Sequence, residues 1–254
     1  MRDSLRAIPV RRRCEDQAMD ATTIEIDGAP VYEAMPGGEV RGGAVVIQEA
    51  YGVNDHIEDV TRRLAGEGWH ALAPHLFHRK GDPVIPYGDI QGAMAHIRAL
   101  TGQGLLADLD ACLGHLERAG LPFRRVAVAG FCMGGTVTFL AAARRRLGAA
   151  STFYGGGIAE SRWPDVPSML HLAPDLQTPW LGLFGDEDRG IPVVDVERLR
   201  DAVAGAAVPT EIVRYPGAGH GFHCDARPES YHEPSARDAW ARTLDWFDRH
   251  VPER

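Results

Sequence analysis

The residues best suited to covalent chemistry are Gly130-Phe131-Cys132-Met133-Gly134, with Gly135 directly behind them. They follow an apolar run at residues 126–129 and precede helical spacing over 133–144. Strand, glycine-flanked nucleophile and helix in that order make a nucleophile elbow, here with cysteine where serine is usual. The turn is so tight that neighbouring backbone leaves no room for side chains on the flanking residues, hence the glycines. A helix starting beside Cys132 aims its N-terminus at the sulfur, which favours thiolate over thiol and brings the Met133 N–H towards a developing oxyanion. Free cysteine is also a common core residue, the reading that suits Cys112 within the helical pattern 109–116. Cys14 and Cys224 are given no role.

An elbow nucleophile needs a base, and the chain order that goes with it is nucleophile, acid, histidine. After an apolar run at 180–184 stands Gly185-Asp186-Glu187-Asp188-Arg189-Gly190-Ile191-Pro192, and after 211–215 stands Pro216-Gly217-Ala218-Gly219-His220-Gly221-Phe222. His220, between glycines in a loop, is the best general base among eleven histidines; His70, His96, His115 and His250 fall in expected strands or helices, where packing or surface roles are expected. Asp188 is the candidate to hold the imidazole in its working tautomer, with Asp186 as rival and turn-ordering as the rival's other role. The carboxylates at 186–188 lack a companion His–carboxylate spacing, so no metal is expected, and acyl transfer by a thiol needs no cofactor.

The elements that must position these groups are legible as short apolar runs alternating with helical spacing. Strands are expected at 44–48, 70–73, 126–129, 151–154, 180–184 and 211–215, and helices at 55–65, 105–119, 133–144, 194–203 and 236–250. Residues 22–26 and 30–34 flank Asp27-Gly28 and predict a leading hairpin. This alternation predicts an α/β fold, a mostly parallel central sheet with helices on both faces and ligands at the carboxyl ends of the strands. Residues 1–20 are polar and Arg-rich and are expected to form a disordered arm, leaving 21–254 as one domain. The Pro- and Gly-containing stretch 155–177 is the longest irregular connection, placed to shape a pocket rim.

With these motifs in hand, the sequence from about residue 22 to the C-terminus resembles the dienelactone hydrolase family. Gln48-Glu49-Ala50-Tyr51-Gly52-Val53-Asn54 is similar to its Q-E-x-x-G-x-N loop, and Pro74-His75-Leu76-Phe77-His78-Arg79 to its P-x-L-[YF]-x-R segment. The cysteine elbow, G-x-x-D-x-x-[IV]-P at 185–192 and A-G-H-x-F at 218–222 complete the set in family order. The resemblance implies an α/β-hydrolase fold in which Cys132 is the nucleophile, His220 the base and Asp188 the acid. It also implies that Glu49 holds the resting thiol and moves when substrate arrives. The N–H groups of Ala50 and Met133 would form the oxyanion hole, and Tyr51, Arg79 and His223 are expected to contact substrate. The family's type member carries a second arginine after its histidine motif, where this chain reads Phe222-His223-Cys224; Arg227 or His223 would have to stand in.

Composition bounds the partners. A formal charge of −8 argues against a nucleic-acid footprint, and Arg144-Arg145-Arg146 reads as the solvated end of a helix. No run of about 18 apolar residues is present to cross a bilayer, and the Arg-rich start lacks the apolar stretch of a secretory signal. Four cysteines without CxxC pairing suit a reducing compartment, so a cytoplasmic enzyme is expected, monomeric or a small homo-oligomer, acting on a small ester or lactone without membrane or nucleic-acid partners. The competing reading is a non-catalytic, redox-sensing thiol protein on the same fold.

Overall fold

The structure, a computed structural model, describes residues 20–252; most of the expected N-terminal arm lies outside them, and Asp20 already belongs to the first strand. The hairpin is β1 (Asp20–Ile26) and β2 (Ala29–Met35), turning on Asp27 and Gly28, both at positive φ. An Asp-Gly pair accepts that backbone at little cost and matches the twist of the flanking strands. Then come β3 (Gly42–Ile47), α1 (Asp55–Gly66), β4 (Trp69–Pro74), α2 (Ile90–Ala99), α3 (Gly102–Arg118), β5 (Val126–Phe131), α4 (Met133–Arg144), β6 (Ala149–Phe153), a single turn α5 (Met169–Leu172), β7 (Trp180–Gly185), α6 (Val193–Val203), β8 (Thr210–Tyr215) and α7 (Glu233–His250).

The eight strands form one sheet in the order β1-β2-β4-β3-β5-β6-β7-β8; β1, β2 and β4 pair antiparallel in succession, and every pair from β4 onward is parallel. Every residue of β3, β4, β5, β6 and β7 is buried, which is why those strands read as mostly apolar runs, broken only by His70 in β4 and Ser151 and Thr152 in β6, rather than alternating ones. Each Val, Leu or Phe side chain so covered contributes about 1.5–3 kcal/mol. Because β3, β5, β7 and β8 run the same way, the loops after Ile47, Phe131, Gly185 and Tyr215 all open at one edge of the sheet.

Three helices depart from the expected spans: α7 begins at Glu233 rather than 236, with Pro234 in its first turn, and α2 and α3 depart for local reasons. α2 was not foreseen, because only Ala93 and Ile97 of its ten residues are buried and so short a stripe leaves little periodicity; Asp89 caps it, accepting from Gly92 N–H at 2.8 Å. α3 begins at Gly102 rather than 105, capped by Thr101, and Gly102 is needed there because a Cβ would lie 2.8 Å from Val166 Cγ2. The stretch 155–177 is irregular except for α5 and a short 3₁₀ turn, and it is pinned by buried Trp163, whose Nε1–H donates to Ile97 O at 2.8 Å. Arg144, Arg145 and Arg146 close α4 and engage Asp175, Asp110 and Gln177, the solvated helix end expected of them.

A candidate thiol active site

Cys132 sits between β5 and α4 with φ 54° and ψ −115°, a conformation that L side chains rarely take. The surrounding contacts hold it there. Its N–H donates to Phe153 O at 3.0 Å, and Gly135 N–H donates back to Cys132 O at 3.0 Å. A Cβ on Gly130 would fall 2.1 Å from Gly134 O, and one on Gly134 2.3 Å from Ile47 O, so strand, turn and helix pack backbone on backbone. Strain held by packing of this kind is common where a group must be presented for reaction. Met133 opens α4, so its N–H is among the first-turn groups that have no partner within the helix.

His220 Nε2 lies 3.0 Å from Cys132 Sγ, and His220 Nδ1–H donates to Asp188 Oδ2 at 2.6 Å. Asp188 is buried, and its second oxygen accepts from Gly190 N–H at 2.8 Å. The loops that carry the two residues are stitched together, Asp186 N–H donating to Tyr215 O at 3.0 Å and Glu187 N–H to Ala218 O at 2.9 Å. Asp186 points elsewhere: its carboxylate takes a bidentate pair from Arg214 at 2.7 and 2.9 Å. Between the two acidic candidates, only Asp188 is bonded to the histidine.

Burial pushes the Cys132 thiol up, but the charge and hydrogen bond of His220 outweigh it, with Arg162 assisting and Glu49 opposing, and the net position is below the ordinary thiol. For His220 the desolvation cost is overcome by the Cys132 charge and the Asp188 hydrogen bond, which push the imidazole up to about 10. Thiolate and imidazolium therefore support one another, and the two titrations belong to the pair.

Glu49, in the loop two residues after β3, is 1% exposed, with Oε1 accepting from Tyr154 O–H at 3.2 Å and from Arg227 Nη2 at 3.4 Å, while Oε2 is buried without a partner. The thiol thus bonds to His220 and not to Glu49 in this state. Gln48 steadies the neighbouring backbone, its Oε1 accepting from Leu76 N–H at 3.0 Å. Tyr51 is nearly buried beside Tyr87, ring centroids 5.0 Å apart, and the Arg227 guanidinium stands 5.7 and 5.2 Å from those two rings.

Two residues expected at the substrate are engaged differently. Arg79 donates from both terminal guanidinium nitrogens to buried Asp108 of α3 at 2.8 and 2.7 Å, although its side chain is 48% exposed. His223 is buried among Phe131, Phe153, Trp240 and His56, ring centroids 5.0–5.9 Å away, where burial and the neighbouring His56 and Arg63 charges hold it down at about 3. It is a neutral packing group beneath the site. A cavity of about 400 Å³ lies by Arg41, Trp69, Arg125 and Phe247, at the opposite, amino ends of the strands, and it has no nucleophile–base pair.

Residues 30–251 match the model of the dienelactone hydrolase family. The chain belongs to this family. A relative from Salmonella typhimurium named "Putative carboxymethylenebutenolidase" is 40% identical over 230 residues, covering 88% of this chain and 84% of its own. A Methylorubrum extorquens protein of the same name is 38% identical, covering 87% of this chain and 77% of its own. Among solved structures, one titled as a putative dienelactone hydrolase from Klebsiella pneumoniae superposes with a TM-score of 0.84 at 39% identity, covering 91% of this chain and 99% of that one. The chain is thus a dienelactone hydrolase-type hydrolase with an α/β-hydrolase fold.

Within this family framework, the structure adds residues the sequence reading passed over. Tyr154, at φ 39° directly after β6, reaches Glu49. Arg162, on the irregular 155–177 stretch, lies against Gly156, where a Cβ would meet its Nη2 at 2.3 Å, and its charge favours the Cys132 thiolate. Buried His56 and Cys224 and half-buried Tyr87 form a further group beside Glu49; burial pushes the Cys224 thiol up, but His56 and Tyr87 draw it down to a net position below the ordinary thiol. No spacing motif joins these residues, and the expected strand 151–154 had Tyr154 inside it, so the sequence carried no signal for them. No helix among the described residues is long and apolar enough to cross a membrane.

Proposed function

We propose that the protein hydrolyses a small ester or lactone, of the carboxymethylenebutenolide kind named for its relatives, through a Cys132–His220–Asp188 triad and a thioester intermediate. One observation carries the reading: a single imidazole joins the sulfur at 3.0 Å to a buried carboxylate at 2.6 Å. A packing cysteine needs neither contact, and a redox-sensing thiol has no use for the oriented acid behind the base.

In the proposed cycle the Cys132 thiolate attacks the carbonyl carbon, and the carbonyl π electrons move onto oxygen. The backbone N–H groups of Ala50 and Met133 stabilise that oxyanion. Collapse breaks the carbon–oxygen bond of the ester, and the His220 Nε2 proton passes to the departing alkoxide, which in a lactone stays tethered. Water then enters; His220 takes one of its protons while the oxygen adds to the thioester carbonyl. The second tetrahedral species expels the thiolate and leaves the carboxylic acid. Asp188 keeps Nδ1 protonated throughout and stabilises the imidazolium.

Glu49 raises the thiol while Arg227 neutralises Glu49, so an anionic substrate drawing Arg227 away would change how much thiolate is present. Arg227 and Arg162 are the cations best placed to receive a substrate carboxylate, with Tyr51 forming an apolar wall. Arg79 serves that purpose only by giving up Asp108. The cytoplasm fits the free state of Cys112, Cys132 and Cys224.

The test is turnover of p-nitrophenyl acetate, a neutral enol lactone and a carboxylate-bearing dienelactone by wild type and Cys132→Ala, with and without iodoacetamide. Thiol-sensitive turnover lost in Cys132→Ala supports the reading, and preference for the carboxylate-bearing lactone supports the cationic anchors. Full residual activity in Cys132→Ala rejects the nucleophile. A peroxide-reactive Cys132 with no turnover of any ester moves the protein to the redox-sensing class.

A further inference from the structure

Glu33, His70 and His115 converge on a face of the sheet that takes no part in the ester chemistry. Glu33 pairs with Leu72 across β2 and β4, and His70, two residues from Leu72, projects to the same side. α3 covers that side. Its Leu116 would meet a Cβ on Gly43, the β3 partner of His70, at 2.8 Å, and this close approach brings the preceding residue, His115, alongside His70. Both imidazoles reach one oxygen: Nε2 of His70 lies 2.7 Å and Nε2 of His115 lies 3.1 Å from Glu33 Oε1. The rings cross at 77° with centroids 5.7 Å apart, and one ligand atom from each residue lies within 4.8 Å of the others.

We propose that Glu33, His70 and His115 form a binding site for a divalent transition-metal ion, zinc foremost, which ties α3 to the antiparallel side of the sheet. Two imidazole nitrogens and one carboxylate oxygen are a donor set that zinc takes with bonds of about 2.0–2.1 Å. Tetrahedral geometry at that bond length spaces donor atoms about 3.3 Å apart, so the three groups need move little. The two hydrogen bonds to Glu33 hold the ligands in place before an ion arrives, and entry of the ion replaces both. Exposure is graded in a useful way. The side chains of His70, Glu33 and His115 are 5%, 17% and 29% exposed, so the ligands are fixed from below while water can supply the fourth position from above. Ligands mounted on two strands and a helix are held more rigidly than loop ligands. Residues 33, 70 and 115 are far apart in the chain and form no spacing motif, which is why the sequence carried no expectation of a metal.

The experiment uses the full chain, stripped with chelator and titrated separately with zinc chloride and cobalt chloride, with calorimetry, thermal unfolding and visible absorption as readouts. His115→Ala and Glu33→Gln are the variants, both at partly exposed positions, with circular dichroism confirming that each folds. Expected are one zinc per chain, a rise in Tm with zinc and a loss of affinity of at least about tenfold in each variant, since even loss of an outer-shell partner costs that much. Expected also is a cobalt spectrum without a thiolate-to-metal charge-transfer band. Absence of stoichiometric binding to wild type overturns the proposal. So does unchanged affinity in both variants, and so does a thiolate-type cobalt spectrum, which would assign the ion to Cys132 or Cys224. Ester turnover enters none of these readouts, so the site and the thiol mechanism stand or fall separately.

Discussion

Asp186 and Asp188 stand two residues apart on one turn and serve opposite sides of it: Asp188 bonds His220 Nδ1 at 2.6 Å, while Asp186 pairs with Arg214 at 2.7 and 2.9 Å. The turn is anchored to β8 through Asp186 N–H and Tyr215 O, so the strand that leads to His220 also sets the height of its acid.

This division predicts unequal effects from the same chemical change. Asp188→Asn should lower kcat by between about 10²- and 10⁴-fold, because an amide neither selects the tautomer nor stabilises the imidazolium. Asp186→Asn should leave turnover and Tm close to wild type, its partner Arg214 being partly exposed and paired with Glu197 as well. Steady-state kinetics of both variants check this, and a larger loss in Asp186→Asn would reverse the assignment.

The thiolate–imidazolium pair fixes a pH signature. The Cys132 thiol lies below its ordinary value and His220 is pushed up to about 10. As pH rises, thiolate accumulates through the lowered thiol pKa, and at the alkaline end the imidazolium is lost near 10. Alkylation by iodoacetamide should therefore turn on below the pH of a free thiol, and ester turnover should fall again near the upper limit. In His220→Ala the alkylation midpoint should move upward towards the ordinary thiol value, as the supporting charge is gone. A midpoint that stays in place would deny the pairing.

The buried carboxylate of Glu49 needs Arg227 and Tyr154. Arg227→Met should destabilise the fold by about 3 kcal/mol, since it leaves a charge in the interior with one hydroxyl partner. Glu49→Gln in the same background should recover part of that loss, giving a coupling energy in urea unfolding. Strict additivity would mean that the two groups do not interact.

His223→Phe tests the difference between a packing group and a substrate contact. Its Nδ1 is buried without a partner, so an apolar ring of similar shape should be neutral or stabilising. KM should change no more than a few-fold. A large rise in KM with unchanged kcat would make His223 a binding residue after all.

The elbow itself is the least tolerant position. Gly130→Ala places a methyl carbon 2.1 Å from Gly134 O, which neither strand nor helix can yield, and the expected cost is about 3 kcal/mol or more. Chemical denaturation reads it directly.

The sequence alone determined the strand–helix alternation and the elbow, because those depend on local sterics: buried parallel strands require mostly apolar runs, and the tight turn requires glycine two residues before and after Cys132; the order nucleophile, acid, histidine is read directly along the chain. It also carried the leading hairpin, in which Asp27-Gly28 accepts positive φ. The tertiary structure decided what local pattern leaves undetermined, namely which of two carboxylates on one turn faces the imidazole and where each cation is engaged. Arg79 turns to Asp108 on α3, Arg227 to Glu49 on the β3 loop, and His223 into an aromatic cluster, because each side chain answers to neighbours distant in sequence. The Glu33–His70–His115 cluster is the extreme case: three residues on two strands and a helix meet at one oxygen, and only the packing of α3 against the sheet brings them there.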